Sequence, residues 1–337
     1  MDTFPETGVA PLSGAKPAVV AAPPRSALAT GVAAALAAGM LWGLVFLVPV
    51  MLHDYPPAVL SIGRYLAFGL ICIPIAFARR TRLARLTRRD WYEAARLSLS
   101  GNFLYYGFLA AGIQLAGAPL PTILIGTLPV VIAVCSNLSE RALPWGRLWV
   151  SLVTISAGVL LVNHDEWARL GDGDPVGLWS GAALTMVAIA CWTWYPIRNS
   201  AWLRRNPTLG PGTWSTAQGL VSLPLALVGG AVLWVLQSNG SGAYDGPLGP
   251  RPLLFVGTML VLGLLASWLG TILWNRASQL VSTSLVGQLI VFETLAALLY
   301  AFLWRGAFPG VGTLSGVALL IAGVVLGVRA FQREGRS

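Results

Sequence analysis

One block of this chain occurs twice. Residues 279–327 align on residues 114–162 at a constant offset of 165 with no gap, and 12 of the 49 positions are identical. The matches include Gln279 with Gln114, Ile290 with Ile125, Pro309 with Pro144, and Ala322-Gly323-Val324 with Ala157-Gly158-Val159. Identity between two apolar segments carries little by itself, because few residue types are in play. The unbroken offset and the shared Pro and Ala-Gly-Val punctuation carry more. Each copy reads as two apolar helices joined by a short link. A chain that repeats a pair of membrane helices has the organisation expected of a transporter.

Composition agrees with that setting. The chain has 337 residues, 56% of them hydrophobic and 10% charged, with a mean hydropathy of +0.71. A soluble domain carries about 25% charge. Apolar runs near 20 residues match a hydrocarbon core about 30 Å thick at about 1.5 Å of rise per residue. The runs are continuous rather than alternating, which excludes a transmembrane β-barrel. A net charge of +9 would raise nucleic-acid binding in a soluble protein, but here the basic residues flank the spans on one side, so no nucleic-acid partner is expected. Cys72, Cys135 and Cys191 all lie inside apolar runs, as buried packing residues do, with no metal-ligand spacing.

The expected fold is therefore all-α and integral to the membrane, with ten transmembrane helices. The spans fall near 28–51, 58–78, 94–115, 120–138, 145–162, 176–197, 211–236, 252–275, 282–304 and 310–330. Residues 1–27, rich in Pro, Ala and Gly, read as a disordered tail, and 331–337 as a second tail. Residues 163–175 form a polar outer loop between a first five-helix unit, 28–162, and a second, 176–330. Alternate loops lie on opposite sides. Loops two, four, six and eight, both tails and Arg96 hold 18 of the 22 basic residues. The positive-inside bias puts both termini in the cytoplasm. Five spans per unit is an odd number, so the second unit enters the membrane upside down. The expectation is two inverted repeats around a central cavity, working by alternating access.

Particular residues carry a family resemblance. Thr127-Leu128-Pro129-Val130, Ser139-Glu140-Arg141 and Ser156-Ala157-Gly158-Val159 resemble the Pro-Val…Gly-Glu-Arg…Ala-Gly-Val block of the drug/metabolite transporter superfamily, EamA-type. Phe292-Glu293-Thr294 resembles the family's Glu-Pro-Val, with Thr294 in place of Pro, and Ser139 stands in place of the usual Gly. The aromatic clusters Tyr105-Tyr106, Trp192-Thr193-Trp194-Tyr195 and Leu273-Trp274-Asn275 look most like YddG-type bacterial amino acid exporters. The resemblance implies a multi-pass inner-membrane exporter of aromatic and other amino acids.

Seven residues are candidates for the substrate site. Glu293 sits about eleven residues from either end of the ninth span, at a depth where a carboxylate must face water or the bundle interior, or be neutral. It is either a proton- or amine-binding group or an acid hydrogen-bonded to a neighbouring helix. Arg64 lies about 10 Å from the outer face. It can take a substrate carboxylate bidentately, snorkel outward, or pair with Asp54. Gln218 is its counterpart if Pro57 aligns with Pro211. Trp42, Tyr105, Tyr106, Trp192 and Gln288 are the expected cavity lining, offering apolar area with polar handles.

Two decoys are set aside. Gly171-Asp172-Gly173-Asp174 matches an intramembrane protease motif but falls in the polar outer loop. His53 and His164 also lie in loops, so neither a metal site nor a catalytic triad is expected. No cofactor and no enzymatic activity follow. The expected partners are a small-molecule substrate and the lipid bilayer, and a transporter of this size can work as a monomer. The competing functional reading is a multidrug or cationic compound exporter coupled to protons through Glu293.

Overall fold

The computed structural model describes residues 25–52, 54–116, 119–140, 143–164, 175–238, 248–306 and 308–334. The tail over 1–24, His53, Arg141, the loop carrying Gly171–Asp174 and the C-terminal 335–337 lie outside the described residues.

Among the described residues all regular structure is helical. The helices are α1 (Arg25–Met51), α2 (Pro57–Ala78), α3 (88–116), α4 (119–140), α5 (Trp145–Val162), α6 (Pro175–Arg205), α7 (Pro211–Ser238), α8 (252–280), α9 (283–305) and α10 (Val311–Glu334). A helical turn, Arg80–Leu83, links α2 to α3. Starts and stops follow local chemistry. Pro57 and Pro252 open their helices at positions where a missing N–H costs nothing. Thr87 and Asp90 form a reciprocal capping box at the start of α3: the Asp90 N–H donates to Thr87 Oγ1 at 3.3 Å, and the Thr87 N–H to Asp90 Oδ2 at 2.8 Å. Gly306, with a φ of 60°, ends α9 in the left-handed conformation that favours glycine.

Nine of these helices are long and apolar enough to cross a membrane, by length and composition. The third is not among them. It is helical from Arg88 to Ala116, but it opens with Arg88, Arg89, Asp90, Glu93 and Arg96, and carries Asn102, Tyr105, Tyr106 and Gln114 further on. Its apolar stretch is diluted accordingly.

Four helices are interrupted in midcourse. Leu99–Leu104 of α3 and Leu262–Leu269 of α8 are wound as π-helix. Helix α4 breaks at Thr127, between Pro119–Gly126 and Leu128–Glu140, and α9 breaks at Ile290, between Thr283–Leu289 and Val291–Arg305. Such interruptions turn backbone carbonyls toward side-chain partners. In α8 the Ala266 carbonyl accepts the Trp42 indole N–H at 2.9 Å, and the Trp268 carbonyl accepts Ser215 Oγ–H at 2.9 Å.

The packing pairs α5 with α10, α2 with α7, and α4 with α9; α1 lies against α8 and α9, α6 against α3 and α4, α2 against α8, and α7 against α3. The α5–α10 seam is glycine-lined. A Cβ at Gly158 would lie 2.8 Å from the Leu320 side chain, and one at Gly323 would lie 2.6 Å from that of Ile155. Gly316 meets Val162, and Gly327 meets Ser151. The partners step in opposite directions along the two chains, so α5 and α10 run antiparallel. Close backbone approach of this kind needs small residues where no water-driven collapse holds helices together.

Candidate functional site

Five aromatic rings from four helices meet in the middle of the bundle. Trp42 of α1 packs edge-on against Trp192 of α6, centroids 6.1 Å apart, and lies 5.1 Å from Trp274 of α8. Tyr105 of α3 stacks on one side of this group, 5.0 Å from Trp192, and Tyr195 stacks 5.3 Å from the same ring. Offset and edge-on pairs of this geometry are the favoured aromatic arrangements. Gly270 makes the room: a Cβ there would come within 2.8 Å of the Trp42 indole nitrogen. Trp42 and Trp274 are buried, whereas Trp192 and Tyr105 remain part-exposed.

Two ionisable side chains, one basic and one acidic, stand beside this wall without joining. Arg64 of α2 donates from Nε to Ser267 Oγ of α8 at 2.9 Å and lies over the Tyr65 ring at 5.2 Å. Its two terminal nitrogens make no hydrogen bond or ion pair among the described residues. Glu293 of α9 is part-exposed and likewise makes none. It lies within electrostatic reach of Arg64 and of the Tyr65 and Tyr105 hydroxyls. Tyr106 also lies within electrostatic reach of Arg64. Gly39 sets the placement of Glu293, because a Cβ there would approach the Glu293 backbone nitrogen to 3.0 Å and push α9 off α1. Asp54 is held elsewhere, by Arg251, so the pairing of Arg64 with Asp54 is not formed.

Below the rings a buried polar chain runs along α6, α7 and α8. The Tyr195 hydroxyl donates to Gln218 Oε1 at 3.3 Å. Gln218 Nε2 and the Trp214 indole both donate to Asn199 Oδ1, at 3.3 and 2.8 Å, and Asn199 Nδ2 donates to Asn275 Oδ1 at 2.9 Å. Asn275 Nδ2, Trp274 Nε1 and Thr193 Oγ1 are buried with no partner among the described residues. Buried donors of that kind call for an acceptor, and a chain so rich in amides can offer substrate polar groups a series of contacts.

Thus Trp42, Tyr105 and Trp192 share one cluster, and Arg64, Tyr106 and Glu293 adjoin it electrostatically. Gln288 does not. It is fully buried in the seam of α5, α9 and α10, where its Oε1 lies 2.6 Å from Ser151 Oγ, itself 2.8 Å from the Gly323 carbonyl. The sequence reading passed over Tyr65, Asn199 and Ser267. Asn199 lies beyond the expected end of the sixth span near residue 197, whereas the helix continues to Arg205.

The ends of the bundle carry ion pairs. Glu140, closing α4, accepts the Thr283 backbone N–H at 2.9 Å, the Thr283 hydroxyl and the Arg204 guanidinium, so it ties α4 to the start of α9 and the end of α6. Nearby, Glu93 of α3 is gripped bidentately by Arg198 of α6. At the opposite end Arg251 clamps Asp54 and donates to the Met51 carbonyl at 2.9 Å. The hydrogen bond to Asp54 raises the Arg251 pKa further, so this cation persists at any physiological pH.

Comparison with known proteins decides the family. The chain is 48% identical over 306 residues to the inner membrane protein YtfF of Escherichia coli (strain K12), covering 89% of this chain and 95% of that protein. The model of the EamA-like transporter family matches residues 29–164. The chain belongs to the EamA-like transporter family. This EamA-family chain is also 24% identical over 289 residues to an uncharacterized transporter of Archaeoglobus fulgidus, covering 85% of this chain and 93% of the other. A solved crystal structure 18% identical to the EamA-family chain shares its fold, with a TM-score of 0.70 over 90% of this chain and 98% of that one.

Proposed function

We propose that this EamA-family protein is a secondary transporter of the bacterial inner membrane that exports zwitterionic metabolites, aromatic and other amino acids first, by alternating access of two inverted five-helix halves. The observation that carries this reading is the unpaired Arg64 and Glu293, within electrostatic reach of each other beside the stacked wall of Trp42, Tyr105 and Trp192. A zwitterion supplies a carboxylate for the arginine fork and an ammonium for the glutamate, and an aromatic side chain stacks on the wall. The resemblance to YddG-type exporters supports the same class of substrate.

Symmetry of the packing supports the inverted repeat. Advancing every helix by five turns α1–α8 into α6–α3, α1–α9 into α6–α4 and α2–α8 into α7–α3, all of which are observed neighbours. The sequence offset of 165 carries the Gly158–Leu320 contact onto Gly323–Ile155, and Val162–Gly316 onto Gly327–Ser151. The π-wound segments fall in α3 and α8, and the breaks in α4 and α9, which are corresponding helices. The same correspondence makes α3 the tenth span. The placement of basic residues supports cytoplasmic termini, and the name of the Escherichia coli relative supports the inner membrane.

Alternating access needs a gate at each end. The Glu140–Arg204–Thr283 cluster on the cytoplasmic side and the Asp54–Arg251 pair on the outer side each join elements of the two halves, and they must open in turn. The purified protein in proteoliposomes, given labelled tryptophan or phenylalanine with and without a pH gradient, tests the reading. Transport that ignores the gradient makes the protein a facilitator; transport that follows it makes Glu293 the leading candidate for the proton site. No amino acid transport under either condition rejects the proposal.

Export of cationic compounds is the second reading. It is favoured by one observation, the unpaired Glu293 carboxylate within electrostatic reach of Tyr105, which stacks on Trp192, since an acid near aromatic rings attracts organic cations.

A further inference from the structure

The elbow between α2 and α3 carries more charge than the fold uses. Six arginines fall between residues 79 and 89. Two of them are turned onto aromatic rings, Arg79 over Trp268 at 5.9 Å and Arg89 over Trp202 at 5.6 Å. Arg80, Arg82, Arg85 and Arg88 are exposed, and none makes an ion pair among the described residues. The nearest acids in sequence are already engaged: Asp90 by the Thr87 cap, and Glu93 by Arg198 and Arg96. The elbow therefore has no counter-charge of its own.

Beside these arginines the surface opens into an apolar cleft. Ile73, Ala76 and the largely exposed Phe77 of α2 form one wall, Trp91 of α3 and Leu220 of α7 contribute to the rest, and Arg80 stands in the lining itself. A guanidinium at the edge of an apolar slot, with three more free ones within eight residues, presents anion-binding groups directly above a place for a hydrocarbon chain. A free phosphate would satisfy the first feature and leave the second unexplained. An anionic phospholipid satisfies both, and basic pockets between membrane helices on the cytoplasmic side recognise such headgroups.

We infer that this elbow is a binding site for an anionic phospholipid of the cytoplasmic leaflet, its phosphate held by Arg80 with Arg82 and Arg85, and one acyl chain lying in the cleft between α2, α3 and α7. The site touches both α2 and α7, so a bound lipid contacts both halves of the proposed transporter. The inference rests on the cytoplasmic assignment of this loop made above. It does not depend on the transported substrate.

Native mass spectrometry of the purified protein in dodecyl maltoside, titrated with phosphatidylglycerol or phosphatidylethanolamine, tests it. The expected result is retained phosphatidylglycerol at concentrations where phosphatidylethanolamine is lost, with binding weakened about fivefold for each arginine replaced among Arg80→Gln, Arg82→Gln and Arg85→Gln. Ala84→Trp, an exposed position on the cleft, should displace the lipid with all arginines intact. Arg329→Gln with Arg333→Gln, on the same side but away from the cleft, should change nothing. Equal retention of both lipids, or equal loss from the Arg329 and Arg333 variants, would overturn the site in favour of diffuse charge. Full competition by soluble glycerol phosphate would reduce it to an anion site and overturn the lipid assignment. A fluorescent reporter on the C terminus that stayed dark in cells would overturn the leaflet alone, because lipid retention by the purified protein is read independently of it.

Discussion

On the proposed export of zwitterions, Arg64 and Glu293 divide the work that such a substrate demands, and single substitutions separate their shares. Glu293→Gln keeps the shape and removes the charge. Loss of one charge-assisted contact should weaken amino acid binding about tenfold while abolishing export of organic cations, as read by paired proteoliposome assays. Equal loss of both activities would show that Glu293 does not discriminate between the substrate classes. Arg64→Gln should reverse the pattern: tryptophan transport falls by about tenfold, whereas tryptamine, which lacks the carboxylate, competes as well as before. Much of this neighbourhood was legible in the sequence, because Trp42, Tyr105, Trp192 and Glu293 lie in midspan, where polar or amphipathic residues need an interior reason. Gln288 met the same criterion and went elsewhere. Depth along a helix can be counted from a sequence, but the azimuth of a side chain depends on which neighbour its helix packs against. The glycine-lined contact of α5 with α10 draws Gln288 to Ser151 instead.

Two helix contacts can be probed in the same spirit. The α5–α10 seam leaves no volume at Gly158, so Gly158→Leu should destabilise the protein by about 1–3 kcal/mol, seen as a lower melting temperature in detergent. Gly323→Leu, the corresponding position, should cost a similar amount; a neutral result at either would refute the packing described. The cluster at Glu140 is different in kind. Its carboxylate accepts from the first turn of α9 and pairs with Arg204, so Glu140→Gln weakens the contact of α4 with α6 and α9 without emptying a core. The expected outcome is greater labelling of a cysteine placed near the Glu140 end of the bundle, with little change in melting temperature. Unchanged labelling would remove this cluster from the gate. Element boundaries were less legible than element existence. Helix α6 outruns its expected end by eight residues, since Arg198, Arg204 and Arg205 read as a loop when their partners Glu93 and Glu140 are out of sight. The third helix showed the opposite difficulty: its Arg88–Arg96 opening is helical because Thr87 and Asp90 cap it, not because it is apolar.

At the scale of the whole molecule, the repeat was the most legible feature and the exchange of partners between halves the least. An offset of 165 can be found by aligning the chain on itself, but nothing in it says that α1 lies against α8 and α9 while α6 lies against α3 and α4. That interleaving means neither the first five helices nor the last five form a closed body, and each set supplies a wall to the other. The seam of α5 and α10 then acquires a mechanical meaning. Its contacts are carried onto one another by the offset, so on the proposed inverted repeat the axis relating the halves passes through it, and points near an axis travel least when bodies rock about it. On the proposed alternating access the seam would serve as a fulcrum, with the two charged mouths as the ends of the lever. Spin labels flanking Gly158 and Gly323 should keep their separation when substrate is added, while labels near Glu140 and Arg204, or near Asp54 and Arg251, should show two distances whose populations change in opposite senses. Fixed glycines at the pivot and breakable charges at the rims would let one chain expose the same Arg64 and Glu293 to either side of the membrane without unmaking its core.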